Sequence, residues 1–258
     1  MVKDKKEIKA QQNNKVRKST EQSSNSITGS FLSILCHQFR SSLNIIAFSN
    51  SLLKRNILQQ EAQFAEDNIS FSNNIQSGVE ELSQLLDELI FYGRLEVKEV
   101  KFKPDLIDIN LFCNEIVSQM QAIAIDKKQT INFINNYNCP EACLDKKLLQ
   151  PVLTNLLANA IKFSPENSTI NFKLNSQEQK IIFQIQDRGM GIPENDLPRI
   201  FEPFFRGSNV GEAKGRGLGL AIVKNLVEIQ DGTIEVATEI GMGTTFTITM
   251  SSSGQTVI

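Results

Sequence analysis

The hydrophobic pattern of this 258-residue chain changes its period near Gly93, and that change constrains the fold more than any other feature. Before this point, apolar residues recur at alternating steps of four and three: Ile75, Val79, Leu82, Leu86 and Leu89. A heptad stripe of this kind predicts a long helix that packs against another helix. After this point, short β-rich segments alternate with amphipathic helical segments. The sequence therefore predicts a helical part followed by an α+β part.

The helical part is predicted to be a hairpin that follows a polar tail. Residues 1–26 are rich in Lys, Gln, Asn and Ser and have almost no apolar side chains, so we expect this stretch not to fold. Residues 27–97 predict two long helices, with a turn at Asn56 and the polar residues after it. Because the apolar seam of one hairpin is narrow, we expect two copies to associate into a four-helix bundle.

The second part, residues 105–252, predicts an α+β sandwich in which helices back one sheet. The β-rich segments are residues 131–135, 169–174, 180–186, 232–238 and 244–250. The helical segments are residues 110–125, 145–163 and 218–230. The fold class expected is thus an all-α helical hairpin followed by an α+β sandwich.

Composition excludes several classes of protein. The chain has 27 basic and 29 acidic residues, so it lacks the charge excess that is typical of nucleic-acid binding. No apolar run approaches the ~18 residues of a membrane helix and no signal-peptide core begins the chain, so we expect a cytoplasmic protein. Four cysteines are too few for a disulfide framework. Cys139 and Cys143 have a metal-like spacing, but reduced thiols near a loop are favoured because no second ligand pair or histidine accompanies them.

The chain has one histidine, His37, and its place on the first predicted helix exposes it. At about 100° per residue it lies nearly opposite an apolar stripe, as do Arg40 and Asn44. The stripe comprises Leu32, Leu35, Phe39, Ser42, Ile46 and Leu53. An outward imidazole on a rigid helix can act as a nucleophile. A lone histidine is more often structural or incidental, so its position leaves both interpretations open.

A polar row follows one face of the helix predicted at residues 145–163. Asn155, Asn159 and Lys162 lie within roughly 60° of one another on that face. Amide oxygens and a lysine can hold a metal–nucleotide complex, because Mg²⁺ takes most of its ligands from phosphate and water. The alternative is an amphipathic helix that shows its polar face to solvent.

Two glycine-rich segments follow, separated by an aromatic cluster. Asp187 stands at the end of a predicted strand, where its carboxylate can accept from an exocyclic amine such as that of adenine, and Gly189 and Gly191 allow a flat base to approach. A second segment, residues 215–219, opens an apolar helix whose N–H groups can bind an anion. Simple turns, a hinge or a helix cap are the alternatives. The cluster at residues 201–206 is typical of a mobile lid over a ligand.

Together these segments resemble the H, N, G1, F and G2 boxes of sensor histidine kinases of two-component signalling. The resemblance covers residues 27–252. The five matching segments, in order, are His37 to Leu43, Asn155 to Lys162, Asp187 to Gly191, Phe201 to Phe205 and Gly215 to Gly219.

The resemblance implies an activity and a set of partners. Residues 27–97 would be the dimerisation and phosphotransfer domain, and residues 105–252 a GHKL-type ATP-binding catalytic domain. The γ-phosphoryl group of ATP would pass to His37 and then to an aspartate on the receiver domain of a response regulator. The resemblance also implies that the chain forms a homodimer and receives its signal from an upstream sensor domain or protein. Such a sensor region or partner could also attach the chain to the membrane.

The resemblance also assigns roles to single residues. Catalysis would involve His37, Gln38 and Lys162, and Mg²⁺ would bind Asn159, assisted by Asn155. Ser41 would stand at the phosphatase-motif position. The ATP-binding residues would be Asn155, Asn159, Lys162, Asp187, Gly189, Gly191, Phe204, Arg206, Gly215, Gly217, Leu218, Gly219 and Thr244.

Three residues near the histidine depart from the family pattern. Gln38 replaces the usual Glu or Asp, so slower autophosphorylation is expected. Ser41 replaces the usual Thr or Asn, and Ser42 replaces the usual Pro. Gln38 also favours an alternative, a degenerate kinase that binds ATP and serves as a dimeric scaffold. An anti-sigma-type serine kinase with the same ATP-binding fold is a third hypothesis, against which the helical hairpin argues.

Overall fold

The computed structural model describes residues 39, 41, 43–56, 65–97, 99–137, 141–178, 180–211 and 215–251. The chain divides between Asp87 and Glu88 into two compact units, and each is described by itself. Within the described residues, none of the helices has both the length and the apolarity needed to cross a bilayer.

The order of elements matches the predicted change from helices to mixed structure. The first helix, α1, is described over residues 43–56. The other helices are α2 (Ala65–Glu96), α3 (Ile109–Ala124), α4 (Lys146–Phe163) and α5 (Gly219–Ile229), with 3₁₀ turns at Ile125–Lys127 and Glu194–Arg199. The strands are β1 (Asp105–Asp108), β2 (Thr130–Asn135), β3 (Glu141–Leu144), β4 (Thr169–Gln177), β5 (Lys180–Gln186), β6 (Thr233–Glu239) and β7 (Gly243–Ser251).

Helix α2 buries a heptad row that differs in part from the predicted one. The row comprises six positions, all half-buried or buried: Phe71, Ile75, Gly78, Leu82, Leu85 and Leu89. Val79 and Leu86 of the predicted stripe are instead 46% and 49% exposed. The turn expected at Asn56 does not begin there, because Asn56 is still helical and only 5% exposed. On α1, Phe39 and Leu53 of the predicted apolar stripe are half-buried.

The second unit is a two-layer sandwich, as predicted. Its five-stranded sheet has the order β2-β4-β5-β7-β6, in which only β2 and β4 run parallel. Alternate strand residues enter the core, among them Phe172 and Phe183, which are fully buried. Helices α3, α4 and α5 cover that face and pack on one another. The core therefore lies between one sheet face and three helices.

Aspartate caps start two of these helices. Asp108 accepts from the Leu111 amide at 2.8 Å and begins α3. Asp145 accepts from Lys147 and Leu148 and begins α4, while its second oxygen accepts from the Lys103 amide at 2.8 Å. Each cap satisfies amide groups that have no acceptor within the helix. The small antiparallel sheet of β1 and β3, whose strands have four residues each, was not predicted from the sequence.

Candidate nucleotide site

The row of polar side chains predicted on α4 is present, and both ends of this helix are fixed. Asn155, Asn159 and Lys162 are all half-buried along one face, and Asn159 and Lys162 lie one and nearly two turns after Asn155. At the C-terminal end, Lys127 donates from Nζ to the carbonyl oxygens of Ile161 at 3.0 Å and Lys162 at 2.8 Å. A cation at this end also complements the helix dipole. The helix that carries the row is thereby held at both termini.

Asn155 directs its acceptor oxygen towards the start of α5. Its Nδ2 donates to the carbonyl oxygen of Pro151 at 2.8 Å, so that Oδ1 is left on the other side of the amide. A Cβ placed on Gly219 would lie 2.8 Å from this Oδ1, closer than real Cβ atoms come. Gly219 is thus required for the approach of the two helices. The first amides of α5 have no acceptor within the helix, so an amide oxygen and free N–H groups lie side by side.

Lys162 lies in a cationic corner next to the second glycine segment. A Cβ on Gly215 would lie 2.5 Å from Lys162 Nζ, and the same ammonium is 4.5 Å from the Phe163 ring centroid. Burial lowers the pKa of Lys162, and repulsion from Arg206 and Lys127 lowers it further. Three cations so close together favour an anionic ligand, because bound negative charge relieves their repulsion.

Asp187 is buried at the end of β5 and, among the described residues, accepts hydrogen bonds through one carboxylate oxygen only. Its Oδ1 accepts from the Gly189 amide at 2.7 Å and from the Thr244 amide at 3.1 Å. Its backbone amide donates to the Thr244 carbonyl oxygen at 2.9 Å. Burial raises the pKa of the Asp187 carboxyl, and the two amide bonds partly offset that rise. Both amide donors are taken by Oδ1, so Oδ2 is left to accept from a ligand.

Glycines around Asp187 allow the backbone to pack closely. A Cβ on Gly189 would lie 2.7 Å from the carbonyl oxygen of Phe163, the last residue of α4. Gly191 and Gly243 have positive φ angles of 71° and 116°, and a Cβ on either would overlap a backbone carbonyl oxygen, that of Glu239 or Asp187 respectively. The G1-type loop is therefore packed between the end of α4 and the β6–β7 hairpin.

The aromatic segment is joined to the second glycine segment through backbone contacts. Phe204 is 7% exposed and has a φ of 64°, which is uncommon for a side chain of this size. Its amide donates to the Gly217 carbonyl oxygen at 2.8 Å. Asp196 accepts from the Ser208 amide at 2.7 Å and from its hydroxyl group at 2.9 Å, which fixes the segment that follows.

The remaining predicted residues occupy varied positions. Leu218 is 1% exposed, so its side chain belongs to the core and only its backbone can reach a ligand. Arg206 donates to the Gly211 carbonyl oxygen at 2.8 Å. Ser41 is exposed on the first helix. His37 and Gln38 lie outside the described residues.

The cysteines form no site in the part of the chain that is described. Cys139 lies outside that part, whereas Cys143 is unbridged and lies in β3 rather than in a loop. Burial raises the pKa of Cys113 to about 12, so this thiol is unreactive.

The donors present fit Mg²⁺ only as an ion brought in with a nucleotide. Among the described residues, no group of three or more His, Cys, Asp or Glu side chains could hold a metal. Mg²⁺ instead accepts one or two protein oxygens when phosphate and water supply the rest. The Asn155 oxygen, freed by the bond from Nδ2 to Pro151, is a donor of this kind.

Several residues that support the site without lining it were not predicted from the sequence. Lys127 and Gln129 bind the C-terminal carbonyl groups of α4, and nothing in their local pattern indicates this. Thr238 binds the loop behind Asp187. It pairs with Thr244 across the β6–β7 hairpin, which the short Gly-containing turn between them could have suggested.

Comparison with known proteins gives a family for the second unit. Residues 144–253 match the family described as histidine kinase-, DNA gyrase B-, and HSP90-like ATPase. The autoinducer 2 sensor kinase/phosphatase LuxQ of Vibrio vulnificus is 31% identical in an alignment of 247 residues that covers 91% of this chain and 28% of LuxQ. The chain spans less than a third of the length of the first curated relatives it matches.

Solved structures share the fold. Full-length ShkA in complex with AMPPNP aligns with a TM-score of 0.65 and 25% identity, over 85% of this chain and 45% of ShkA. The histidine kinase ThkA in complex with the response regulator protein TrrA aligns with a TM-score of 0.67 and 20% identity, over 88% of this chain and 63% of that one. At these identities the ThkA likeness supports the fold alone.

Proposed function

We propose that this chain, which carries an ATPase domain of the histidine kinase type, is the kinase core of a sensor histidine kinase and uses ATP to phosphorylate its own His37. One observation carries the proposal: the Asn155 amide oxygen lies beside Gly219 at the N-terminus of α5, and the crowded Lys162 ammonium group lies beside Gly215 in the segment that leads into α5. These groups together complement a metal-bound triphosphate. Asp187 at the neighbouring strand end supplies the acceptor for a base.

In this proposal Asp187 selects adenine. Because Oδ1 already accepts two amide groups, Oδ2 accepts from the 6-amino group of the base. Gly189, Gly191 and Gly243 allow the close packing that holds this carboxylate in place. The solved ShkA complex contains AMPPNP, an ATP analogue, which supports the same ligand class for this chain.

The phosphate end of the nucleotide would bind along α4 and at the start of α5. Asn159, assisted by Asn155, would hold Mg²⁺, which would supply positive charge to offset that of the phosphate groups. Lys162 would bind phosphate directly, with Arg206 and Gly215 beside it. The backbone N–H groups around Gly217 and Gly219 would donate hydrogen bonds to the remaining phosphate oxygens. Phe204 would act through its backbone, by fixing Gly217.

The phosphoryl group would move from ATP to His37 and then to a response regulator. The Nε2 lone pair of His37 attacks the γ-phosphorus, the bond from phosphorus to the β–γ bridging oxygen breaks, and ADP leaves. Gln38 accepts from Nδ1–H but supplies no charge to stabilise the imidazolium that develops. ThkA forms its complex with a response regulator protein, and a receiver-domain aspartate is the acceptor proposed for the present chain.

Dimerisation is proposed through the two helices of the first unit. Large apolar side chains remain exposed there, including Leu43, Phe48, Ile69, Val79 and Leu86, with Phe48 67% and Ile69 62% exposed. Exposed apolar surface on paired helices favours burial against a second copy. The signal would then reach the dimer from an upstream sensor domain or protein. Ser41, on the first helix, would occupy the position of the phosphatase motif.

Incubation with γ-labelled ATP and Mg²⁺ tests the proposal. We expect an acid-labile, base-stable phosphate on the protein that is lost in His37→Ala, whereas Asn44→Ala, on the same predicted face of the helix, retains it. ATP binding without any phosphate would instead support the scaffold that Gln38 favours. An acid-stable phosphoserine on a partner would support a serine kinase.

A further inference from the structure

Three polar groups surround the hydroxyl group of Thr238, which lies behind the loop that carries Asp187. The Ile192 amide donates to Thr238 Oγ1 at 2.9 Å. The Gly243 carbonyl oxygen lies 3.0 Å from the same atom, and so does Thr244 Oγ1. Thr238 and Thr244 are directly paired across the β6–β7 hairpin. The hydroxyl group of Thr238 thus joins three backbone segments of the site.

Counting protons gives the direction of each bond. A hydroxyl group has one proton and two lone pairs. The Gly243 carbonyl oxygen can only accept, so Thr238 donates its proton there, and its lone pairs remain for Ile192 and Thr244. Thr244 must then donate its own proton to Thr238. The reverse direction would leave two oxygens 3.0 Å apart, those of Thr238 and Gly243, with no proton between them.

This direction decides whether the Thr244 hydroxyl group can donate a hydrogen bond to a ligand or only accept one. Once its proton is given to Thr238, Thr244 Oγ1 can only accept. The amide of the same residue donates to Asp187 Oδ1 at 3.1 Å, and covalent geometry keeps the hydroxyl group of Thr244 close to that amide. Asp187 Oδ2 is an acceptor as well. The two side chains therefore present an edge that accepts hydrogen bonds and donates none.

We propose that Thr238 is a positioning residue for base selection, because it commits the Thr244 hydroxyl group to accepting and so favours a 6-amino over a 6-oxo purine. The inference rests on the proposed nucleotide site. A 6-amino group donates to this edge directly or through one water molecule, whereas the 6-oxo group of hypoxanthine brings a further acceptor. Without Thr238, the Thr244 hydroxyl group is free to turn and donate.

Nucleotide binding by Thr238→Val and Thr238→Ser tests the inference. Affinities for ATP and for ITP, whose base is hypoxanthine, are measured by calorimetry on the full chain. We expect the ratio of the ITP to the ATP dissociation constant to fall about five- to tenfold in Thr238→Val, the effect of one ordinary hydrogen bond. Thr238→Ser should keep the wild-type ratio. Thr247→Val makes the same substitution at another threonine of the β6–β7 hairpin, and as the control it should leave the ratio unchanged.

A second variant keeps the test decisive if Thr238→Val does not fold. Thr244→Val should lower the ratio by itself, and adding Thr238→Val to it should change the ratio no further. An unchanged ratio in Thr244→Val, or equal weakening of both nucleotides in Thr238→Val, would overturn the inference. Absence of ATP binding by the wild-type protein would contradict the proposed function instead.

Discussion

Phe204 and Gly217 are interlocked through their backbones. The Phe204 amide donates to the Gly217 carbonyl oxygen at 2.8 Å, and a Cβ on Gly217 would lie 2.6 Å from the Phe204 carbonyl carbon. This contact joins the aromatic segment to the glycine segment that precedes α5. The two segments therefore cannot move independently without breaking it.

Gly217→Ala is expected to weaken ATP binding about tenfold or more. The new methyl group must push the Phe204 segment away, and small displacements of positioning groups have large effects on a site. Calorimetry with ATP measures the change. Thermal melting of the same sample should show a loss of stability as well, because Phe204 and Leu218 beside the contact are buried.

Gly211→Ala is the matched control for Gly217→Ala. Gly211 also has a positive φ, 56°, but a Cβ there would meet no atom of the described residues within 4 Å. Both variants therefore carry the left-handed backbone cost of about 1 kcal/mol, and only Gly217→Ala adds a clash. Equal ATP affinities in the two variants would refute the interlock.

Periodicity predicted most of the second unit because its elements are long and regular. The segment predicted as residues 145–163 forms α4 at Lys146–Phe163, with Asp145 as its cap. The strands β1 and β3 were missed because four residues are too few to show an alternation of apolar and polar side chains. Their pairing also joins residues that are far apart in sequence, such as Asp105 and Leu144.

The buried row of α2 shows another limit of sequence reasoning. Leu85 and Leu86 are both apolar, yet Leu85 is 2% exposed and Leu86 is 49% exposed. The row passes through Gly78, whose missing side chain concealed the register and made Val79 look like the buried position. In the candidate site, Asp187 and the glycines were proposed from their spacing, whereas Lys127 and Thr238 make contacts that only the tertiary structure brings about.

Asp187→Asn is expected to abolish tight ATP binding without harming the fold. The Asn Oδ1 can still accept from Gly189 and Thr244, but Nδ2 would then face the 6-amino group as a second donor. We expect affinity for ATP to fall about 100-fold, since a buried group left without a partner is costly. Calorimetry and thermal melting of the same samples separate binding from stability.

The pH dependence of Asp187→Asn follows from the direction of the pKa shift. Burial raises the pKa of Asp187, so the folded protein favours the protonated form relative to the unfolded chain. Its contribution to stability is present below the ordinary pKa of an aspartate and is lost as pH rises through the raised value. The Tm of Asp187→Asn should therefore equal or exceed that of the wild type at pH 8, and this advantage should shrink towards pH 4. An advantage that grows on acidification would contradict the assignment.

Lys162→Gln is expected to weaken ATP binding about tenfold or more and to leave adenosine binding nearly unchanged. The ammonium group forms a charge-assisted bond to phosphate, which adenosine lacks. The unliganded variant should melt no earlier than the wild type, because repulsion from Arg206 and Lys127 is removed. Lys147→Gln, an exposed lysine of the same helix, controls for the lost charge. Equal weakening of ATP and adenosine would argue against phosphate contact.

Gln38→Glu is expected to speed autophosphorylation about tenfold. A carboxylate at this position would accept from Nδ1–H of His37, as is proposed for Gln38, but it would also stabilise the imidazolium that develops as Nε2 attacks phosphorus. Initial rates of acid-labile phosphate formation at saturating ATP measure the effect, and the affinity for ATP should not change. Gln84→Glu, which adds the same charge at an exposed position of α2, should leave the rate unaltered. A rate in Gln38→Glu at or below that of the wild type would mean that the charge of this neighbour does not limit phosphoryl transfer to His37.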